Sequence, residues 1–247
     1  MTLSGQWIAQ YAGTNSGQLI IEIDDLGGYY EGTACAWDNN KSMPSSRVIV
    51  VSRSKSDNQR LENIPVQAMF WDGTDIAESE IKKLQAEHGI LFPRTVDIDF
   101  ALVSDELTIK WVTPIGTTGG GVATASARRG GTPSELTPLP IRTWEGFNKH
   151  VNSLERKRYV YRGQENSKWR LRTTFHRTKR SSLYRCVFHD VHELNKQLSV
   201  LTKHSFDLDN RMHYAAFINL AQHHEYPTPL LDWTWSPYVA VFLPFVE

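Results

Sequence analysis

Cysteine is scarce in this chain of 247 residues, since only Cys35 and Cys186 are present and they lie far apart. This argues against a disulfide framework and against a cysteine-based zinc site. No uninterrupted apolar stretch approaches the roughly 20 residues that a membrane-spanning helix needs. The N-terminus, MTLSGQWIAQYAG, has neither the basic nor the apolar segment of a signal peptide. We therefore expect a soluble, cytoplasmic protein.

An excess of charge of one sign is also absent, because 27 Lys and Arg residues balance 27 Asp and Glu residues. Such a balance gives no general attraction to nucleic acid or to an acidic membrane, and we expect neither as a partner. The basic stretch FHRTKRSSLYR at 175–185 is typical of the solvated start of a helix. Nucleic-acid binding by this stretch is the less favoured alternative.

Residues 1–114 carry short runs of β-forming residues separated by turn signals. The Ser104-Asp105 doublet between the last two runs predicts a hairpin turn. One helix interrupts the pattern, with Asp75 as its predicted N-cap and Gly89 as its predicted end. This spacing predicts a small β-sandwich or barrel with one helix, within a chain of the α+β class. The predicted strands are 6–11, 18–24, 29–37, 47–52, 66–71, 95–102 and 107–113.

Residues 115–140 are rich in Gly, Ser, Thr and Pro and contain few large apolar residues. Burial of so few apolar residues cannot offset the conformational entropy that the chain loses on ordering, so we expect a flexible linker. The run from Gly119 to Gly121 is not expected to be a phosphate loop, because no Lys-Ser/Thr pair follows it.

Residues 141–247 predict a second, α+β domain. The apolar residues return at helical spacing, and Thr143 is a predicted N-cap. We expect further helices at 182–204, 211–224 and 237–242, the last begun by Ser236 with Pro237 at its first position. Short strands are expected at 159–162 and at 230–234, the second of them buried.

Two motifs in this second region suggest a ligand site. The first, Tyr161-Arg162-Gly163-Gln164, places a guanidinium beside a glycine that lets a ligand approach the backbone, which suits a phosphate or carboxylate. A structural arginine that joins two elements is an equal alternative. In the second motif, QHHEYPTPLLDWTWSP at 222–237, the hydroxyls of Thr234 and Ser236 precede a helix. They suit either an anion or simple capping of that helix.

These motifs resemble the signature of the FRG domain family, which begins with Phe/Tyr-Arg-Gly and carries a later block Gln-His-x-x-x-Pro-Thr-x-Leu-Leu-Asp-Trp-Thr-x-Ser-Pro. Trp169 and Arg172 extend the first motif. The chain departs from the family at Glu225, where glycine is usual, and at Pro229, where arginine is usual, so one expected cation is missing. The resemblance covers roughly the last hundred residues.

The order of the motifs is more distantly similar to ADP-ribosyltransferases, and this similarity implies a site for NAD. Arg162, Thr234 and Ser236 would be its catalytic residues. A further catalytic Glu is expected on a later strand beyond Val246, and Glu247 is not assigned to that role. The residues expected to bind the cofactor are Tyr161, Arg162, Gly163, Gln164, His223, Asp232 and Trp233.

Two function classes follow from the resemblance. The first is a nucleotide- or NAD-binding domain with ADP-ribosyltransferase-like architecture, of the kind found in bacterial toxins or anti-phage defence proteins. The second is a non-enzymatic module that binds a ligand or, through the N-terminal β domain, a protein partner. No metal is expected, because adjacent His223 and His224 on a helix point about 100° apart and cannot easily share one ion.

Overall fold

The computed structural model describes residues 2–126, 139–166, 171–202 and 204–242. These residues form both strands and helices, which confirms the α+β class. Within these ranges, no helix has the length and apolar character required to cross a membrane.

Eight antiparallel strands form a closed barrel in the N-terminal half, which confirms the barrel alternative over the sandwich. Each strand pairs with the next along the chain, and the last pairs with the first. Closure removes the free edge strands of an open sheet, and the shortest pairing in the ring joins β4 to β5 over Ser45–Val48. The strands are β1 (Gly5–Gly13), β2 (Ser16–Asp25), β3 (Tyr30–Asp38), β4 (Ser45–Ser52), β5 (Asn58–Met69), β6 (Thr95–Val103), β7 (Glu106–Val112) and β8 (Thr118–Ala125).

The alternation of side chains decides which residues fill the barrel. Along β2, Leu19, Ile21 and Ile23 are buried in the interior, whereas Glu22 lies on the outer face between two of them. Successive side chains of a strand point to opposite faces, so an apolar residue at every second position produces one apolar interior. The alternation of apolar residues along β2 therefore accounts for its inward face.

The predicted linker is wrong at its start, because Thr118–Ala125 is strand β8. Its glycines gave no strand signal, yet β8 pairs with both β7 and β1. Gly119 lies so close to the Trp111 ring that an added Cβ would come within 2.3 Å of it. A residue without a side chain is therefore needed here, and the composition reflects packing inside the barrel. The remaining linker prediction at 127–138 lies outside the described residues.

The single helix of the barrel region, α1 (Glu78–His88), ends as predicted at Gly89, which adopts a left-handed conformation with φ of 66°. Its predicted N-cap is wrong. The N-cap position belongs to Ala77, whereas Asp75 pairs with Met69 through a β-bridge and accepts a hydrogen bond from Arg47 at 2.5 Å. The Asp75 carboxylate is therefore engaged by the barrel wall.

The hairpin predicted at Ser104 and Asp105 is confirmed, since both residues have positive φ, at 47° and 72°. Two successive positive φ values are characteristic of the tight turns whose twist matches that of paired strands. The turn joins β6 to β7 directly.

The C-terminal region is mainly helical. Its elements are α2 (Trp144–Ser153), α3 (Thr174–Arg177), α4 (Leu183–Arg185), a π-helical turn (Cys186–Asp190), α5 (Val191–Thr202), α6 (Arg211–His223) and α7 (Pro237–Phe242). The predicted caps are confirmed, since Thr143 accepts from the Gly146 N–H and Ser236 accepts from the Val239 N–H. The helix predicted at 182–204 is divided into α4, the π-helical turn and α5, with Thr202 as its last helical residue.

The prediction of two strands in this region, at 159–162 and 230–234, is wrong. Only one isolated bridge is present at these positions, between Tyr161 and Thr234. Leu230 and Trp233 are largely exposed, which also contradicts the prediction of a buried strand. An extended segment needs a neighbouring strand along its length to become a sheet, and here the pairing is limited to a single residue pair.

A second hydrophobic core forms where the C-terminal helices meet. Phe175, Cys186, Val191, Phe217 and Ile218 are buried together. They come from α3, the π-helical turn, α5 and α6, so this core holds the C-terminal helices against one another. It is separate from the apolar interior of the barrel.

Candidate functional site

The two sequence motifs meet at the bridge between Tyr161 and Thr234. The Tyr161 N–H donates to the Thr234 carbonyl at 2.7 Å, and the Thr234 N–H donates to the Tyr161 carbonyl at 2.9 Å. Next to this pair, Arg162 Nη1 donates to the Asp232 carbonyl oxygen at 3.1 Å. Residues about 70 positions apart in sequence are thereby held within hydrogen-bonding distance.

A chain of side-chain hydrogen bonds fixes the loop that carries Asp232. Gln222, near the end of α6, donates through Nε2 to the Asp232 carboxylate. Its Oε1 atom accepts from the Thr228 hydroxyl at 2.7 Å. Thr228 is almost fully buried, and its carbonyl accepts from the Phe175 N–H at 3.2 Å. Buried polar groups of this kind are normally hydrogen-bonded, and the network orients both Gln222 and Asp232 within the protein.

The hydroxyl groups of the second motif are engaged with the backbone at the start of α7. Thr234 Oγ1 accepts from the Ser236 N–H at 3.1 Å, and Ser236 Oγ accepts from the Val239 N–H at 3.3 Å. These contacts agree with the capping alternative for both residues. They also position Thr234 directly beside the bridge to Tyr161.

An aromatic cluster anchors α7 to α2. Tyr238 lies 6.0 Å from the Trp144 ring and 6.1 Å from the Phe147 ring, and these two rings stack on each other at 5.3 Å. Such contacts add to the apolar area that the rings bury. The short helix that begins at Ser236 is therefore held in place by side chains from outside its own motif.

Arg162 has an unusual environment. Its Nε atom is buried and has no hydrogen-bond partner among the residues that the structure describes. A guanidinium carries five N–H donors, and a buried donor without an acceptor costs free energy. The described part of the chain therefore provides no acceptor for this Nε.

The remaining predicted site residues differ in their relation to Arg162. Gly163 and Gln164 follow it directly and are half-buried. Trp233 is adjacent to Asp232 and 51% exposed. His223 is exposed, and its ring contacts that of His224 at 5.7 Å between centroids.

The segment that follows the first motif connects the site to the second core. Arg172 Nη2 donates to the His176 carbonyl at 2.9 Å, and the Thr173 hydroxyl lies 2.6 Å from His176 Nδ1. Burial lowers the pKa of His176, and the charge of Arg172 lowers it further. The imidazole is thus favoured in its neutral form. Trp169 lies outside the described residues.

Sequence reasoning missed the contact between the barrel and the C-terminal region. The Asp24 carboxylate, on the outer face of β2, is only 1% exposed. It accepts from the backbone N–H groups of Ser181 at 2.6 Å and Ser182 at 3.1 Å, and from the Arg180 side chain. The prediction that the basic stretch is solvated is therefore wrong at Arg180, which pairs with carboxylates within the chain. The only available signal was an acidic residue at the end of a strand, which is too common to be informative.

Further contacts extend this interface along β2, β3 and β4. Arg185 donates to Glu31 at 2.5 Å, and the Leu183 N–H donates to Glu22 at 3.1 Å. The Arg47 guanidinium lies over the Tyr184 ring at 4.8 Å. The start of α4 thus lies against the barrel wall, with its free N–H groups facing carboxylates, as the helix dipole favours.

Residues 157–247 match the family model of the FRG domain. The match includes both motifs and confirms the resemblance predicted from them, so the C-terminal part of the chain contains an FRG domain. No curated protein matches the chain.

Proposed function

We propose that the FRG domain binds the phosphate groups of a nucleotide, with NAD as the first candidate, at Arg162. The observation that carries this proposal is the buried Nε of Arg162, which has no partner among the described residues. A phosphate oxygen supplies the missing acceptor, and planar guanidinium groups bind phosphate with two parallel hydrogen bonds.

The positive charge of Arg162 is available to an anion. Its Nη1 donates to a neutral carbonyl oxygen, whereas the Asp232 carboxylate accepts from Gln222. A hydrogen bond to a neutral acceptor leaves the positive charge of the guanidinium available to a ligand. Charge-assisted hydrogen bonds are about twice as strong as neutral ones. The hydrogen bond to the Asp232 carbonyl holds the guanidinium, and the backbone bridge between Tyr161 and Thr234 holds the adjacent chain before a ligand arrives.

An ADP-ribosyltransferase reaction is the enzymatic form of this proposal, and a role in a bacterial toxin or anti-phage system is its expected setting. A binding module without turnover is the alternative. One observation favours the alternative: the hydroxyls of Thr234 and Ser236 both accept hydrogen bonds from the backbone. In this arrangement they support the loop and helix α7.

Thermal unfolding of the full chain tests the binding step. A ligand that binds only the folded state raises the melting temperature as its concentration rises. We expect NAD and inorganic pyrophosphate to do so, and nicotinamide, which lacks phosphate, to have no effect. Arg162→Ala is expected to remove the shift. Arg158→Ala is the matched control, because Arg158 is exposed and pairs with Glu155 at 3.0 Å. Absence of a shift with both NAD and pyrophosphate at several millimolar would rule out the proposal.

Incubation with labelled NAD then separates the two functions. Transfer of the label to a protein acceptor that is lost in Arg162→Ala supports the transferase. Binding without transfer supports the module. The ligand-free melting temperatures of both variants identify any loss that arises from unfolding rather than from the missing guanidinium.

A further inference from the structure

The interior of the barrel contains a cavity of about 190 Å³. Apolar side chains from several strands form its walls, among them Leu19, Ile21, Val48, Ile98 and Ile109. Eight-stranded barrels have interiors that side chains just fill or that hold one small ligand. The interior of this barrel is not completely filled, because the space remains open although these side chains all point inward.

The space exists because one strand contributes small residues. Ala34 and Ala36 on β3 line the cavity, between the larger side chains of β2 and β4. A leucine at either position would occupy much of the volume. Protein interiors are normally packed to the density of organic crystals, so an apolar cavity of this size is uncommon.

One end of the barrel is closed. Trp7 and Leu3 are both buried there, and Trp7 Nε1 donates to the Leu3 carbonyl at 2.8 Å. The N-terminal segment therefore plugs the end of the barrel at which β1 begins. The contacts with the FRG domain involve outward-facing side chains, such as Asp24, so they do not enter the interior.

The polar residues of the cavity lie towards the other end. Thr14 and Asn15 come from the turn between β1 and β2, and Thr117 from the turn between β7 and β8. The segment after α1 also lines the cavity, and its Leu91 is 61% exposed. This end consists of short turns and one exposed segment, which provide a route for a small molecule.

Two ionisable side chains lie in one row near this open end. Strand register aligns Tyr11 with Gly17 and Gly17 with Asp38. A Cβ atom at Gly17 would come 2.8 Å from the Tyr11 hydroxyl, so the phenol ring lies across the glycine. Asp38 is 6% exposed, and its Oδ1 accepts from the Asn40 N–H at 2.8 Å. The polar end of the cavity therefore carries a shielded carboxylate.

We propose that the barrel cavity binds a small, mostly apolar molecule whose polar end is an alcohol or an amine, with that end facing Asp38 and Tyr11. Size supports this, since a dry apolar cavity of about 150 Å³ is sufficient for benzene. The charge of Asp38 excludes a carboxylate as the polar end of the ligand. A ligand carboxylate would lie beside the Asp38 carboxylate in a poorly solvated site, where like charges repel strongly. This site is separate from Arg162 and does not depend on the function proposed for the FRG domain.

Calorimetric titration of the full chain with three matched probes tests the proposal. 2-Phenylethanol, 2-phenylethylamine and phenylacetate share a ring and differ in the polar end. We expect the alcohol and the amine to bind, and phenylacetate to bind at least about tenfold more weakly because of its charge. Failure of all three probes to bind at several millimolar would overturn the proposal.

Two variants locate the binding site. Ala36→Leu fills the cavity and should abolish binding, whereas Ala12→Leu adds the same group to the exposed outer face of β1 and should not. Asp38→Asn keeps an acceptor for Asn40 and should remove the discrimination against phenylacetate. Asp57→Asn, at an exposed position before β5, is its control. Unchanged binding by a folded Ala36→Leu protein, or unchanged discrimination in Asp38→Asn, would contradict the proposal.

Discussion

Asp24 and Arg180 join the barrel to the FRG domain through two hydrogen bonds to one carboxylate oxygen. Asp24 Oδ2 accepts from Arg180 Nε at 3.2 Å and from Nη2 at 3.1 Å. Arg180 also pairs with Asp190, so one guanidinium lies between carboxylates from both parts of the chain. Such a deeply buried carboxylate is tolerated because both of its oxygens accept hydrogen bonds.

Asp24→Ala should therefore destabilise the protein strongly. The change leaves the N–H groups of Ser181 and Ser182 without their acceptor and removes one of the two carboxylates that Arg180 contacts. Each buried donor left unsatisfied costs about 1–3 kcal/mol. The free energy of unfolding in urea, followed by tryptophan fluorescence and circular dichroism, measures the loss. Asp25→Ala is the matched control, because Asp25 is the next residue in the chain and its carboxylate pairs with Lys55 at the surface. The control should lose no more than about 1 kcal/mol. Equal losses in the two variants would contradict the role assigned to Asp24.

Gly119→Ala should destabilise the barrel, because the added Cβ would come within 2.3 Å of the Trp111 ring. Overpacking of this kind costs about 1–3 kcal/mol. Gly28→Ala is the control, since nothing lies within 4 Å of the added atom. Urea unfolding compares the two. A neutral result for Gly119→Ala would mean that these glycines belong to a linker and not to β8.

Glu225→Gly should stabilise the protein. Helix α6 ends with the Glu225 N–H bonded to the Gln222 carbonyl at 3.0 Å and the Tyr226 N–H bonded to the Ala221 carbonyl at 2.9 Å. Glu225 itself has a φ of 63°, a left-handed conformation that glycine adopts without steric cost. This geometry is compatible with the glycine that the resemblance to the FRG signature leads us to expect at this position. We expect a gain of about 0.5–1 kcal/mol from relief of backbone strain.

Glu87→Gly is the control for that substitution, because Glu87 lies within the last turn of α1. Glycine in a helix is unfavourable by roughly 1 kcal/mol relative to alanine, so the same chemical change should have the opposite sign. Thermal unfolding of both variants decides the matter. A loss of stability in Glu225→Gly would show that its side chain contributes more than its backbone strain costs.

The Tyr11 hydroxyl should make stability fall at alkaline pH. Burial, together with the charge of Asp38, raises the pKa of Tyr11 to about 12 from its usual 10.0. The folded state therefore favours the neutral phenol, and this contribution is fully present below pH 10 and lost as the pH rises towards 12. Tyr11→Phe should be less sensitive to pH over this interval. Urea unfolding at several pH values compares the two proteins, and identical pH dependence would exclude the effect.

The sequence alone determined those features whose causes are local. Alternating apolar residues determined the inward faces of strands such as β2, because each side chain's direction follows from strand geometry. The ends of elements at Gly89, Ser104 and Thr143 were also predictable, since a positive φ or a capping hydroxyl is a property of a few residues. The FRG domain was recognisable from two motifs for a similar reason, because each is a contiguous run of residues.

Only the tertiary structure decided the features that depend on distant neighbours. The glycines of β8 are a strand because β1 and β7 supply their hydrogen bonds, and composition carries no trace of that pairing. Asp75 was assigned to a helix cap on local grounds, yet Arg47, 28 residues away, engages its carboxylate. Two further features likewise arise from how separate segments pack: the Nε of Arg162, which has no partner within the described ranges, and the space beside Ala36. Local preferences are worth a few tenths of a kcal/mol to about 1 kcal/mol per residue, so burial and long-range hydrogen bonding override them.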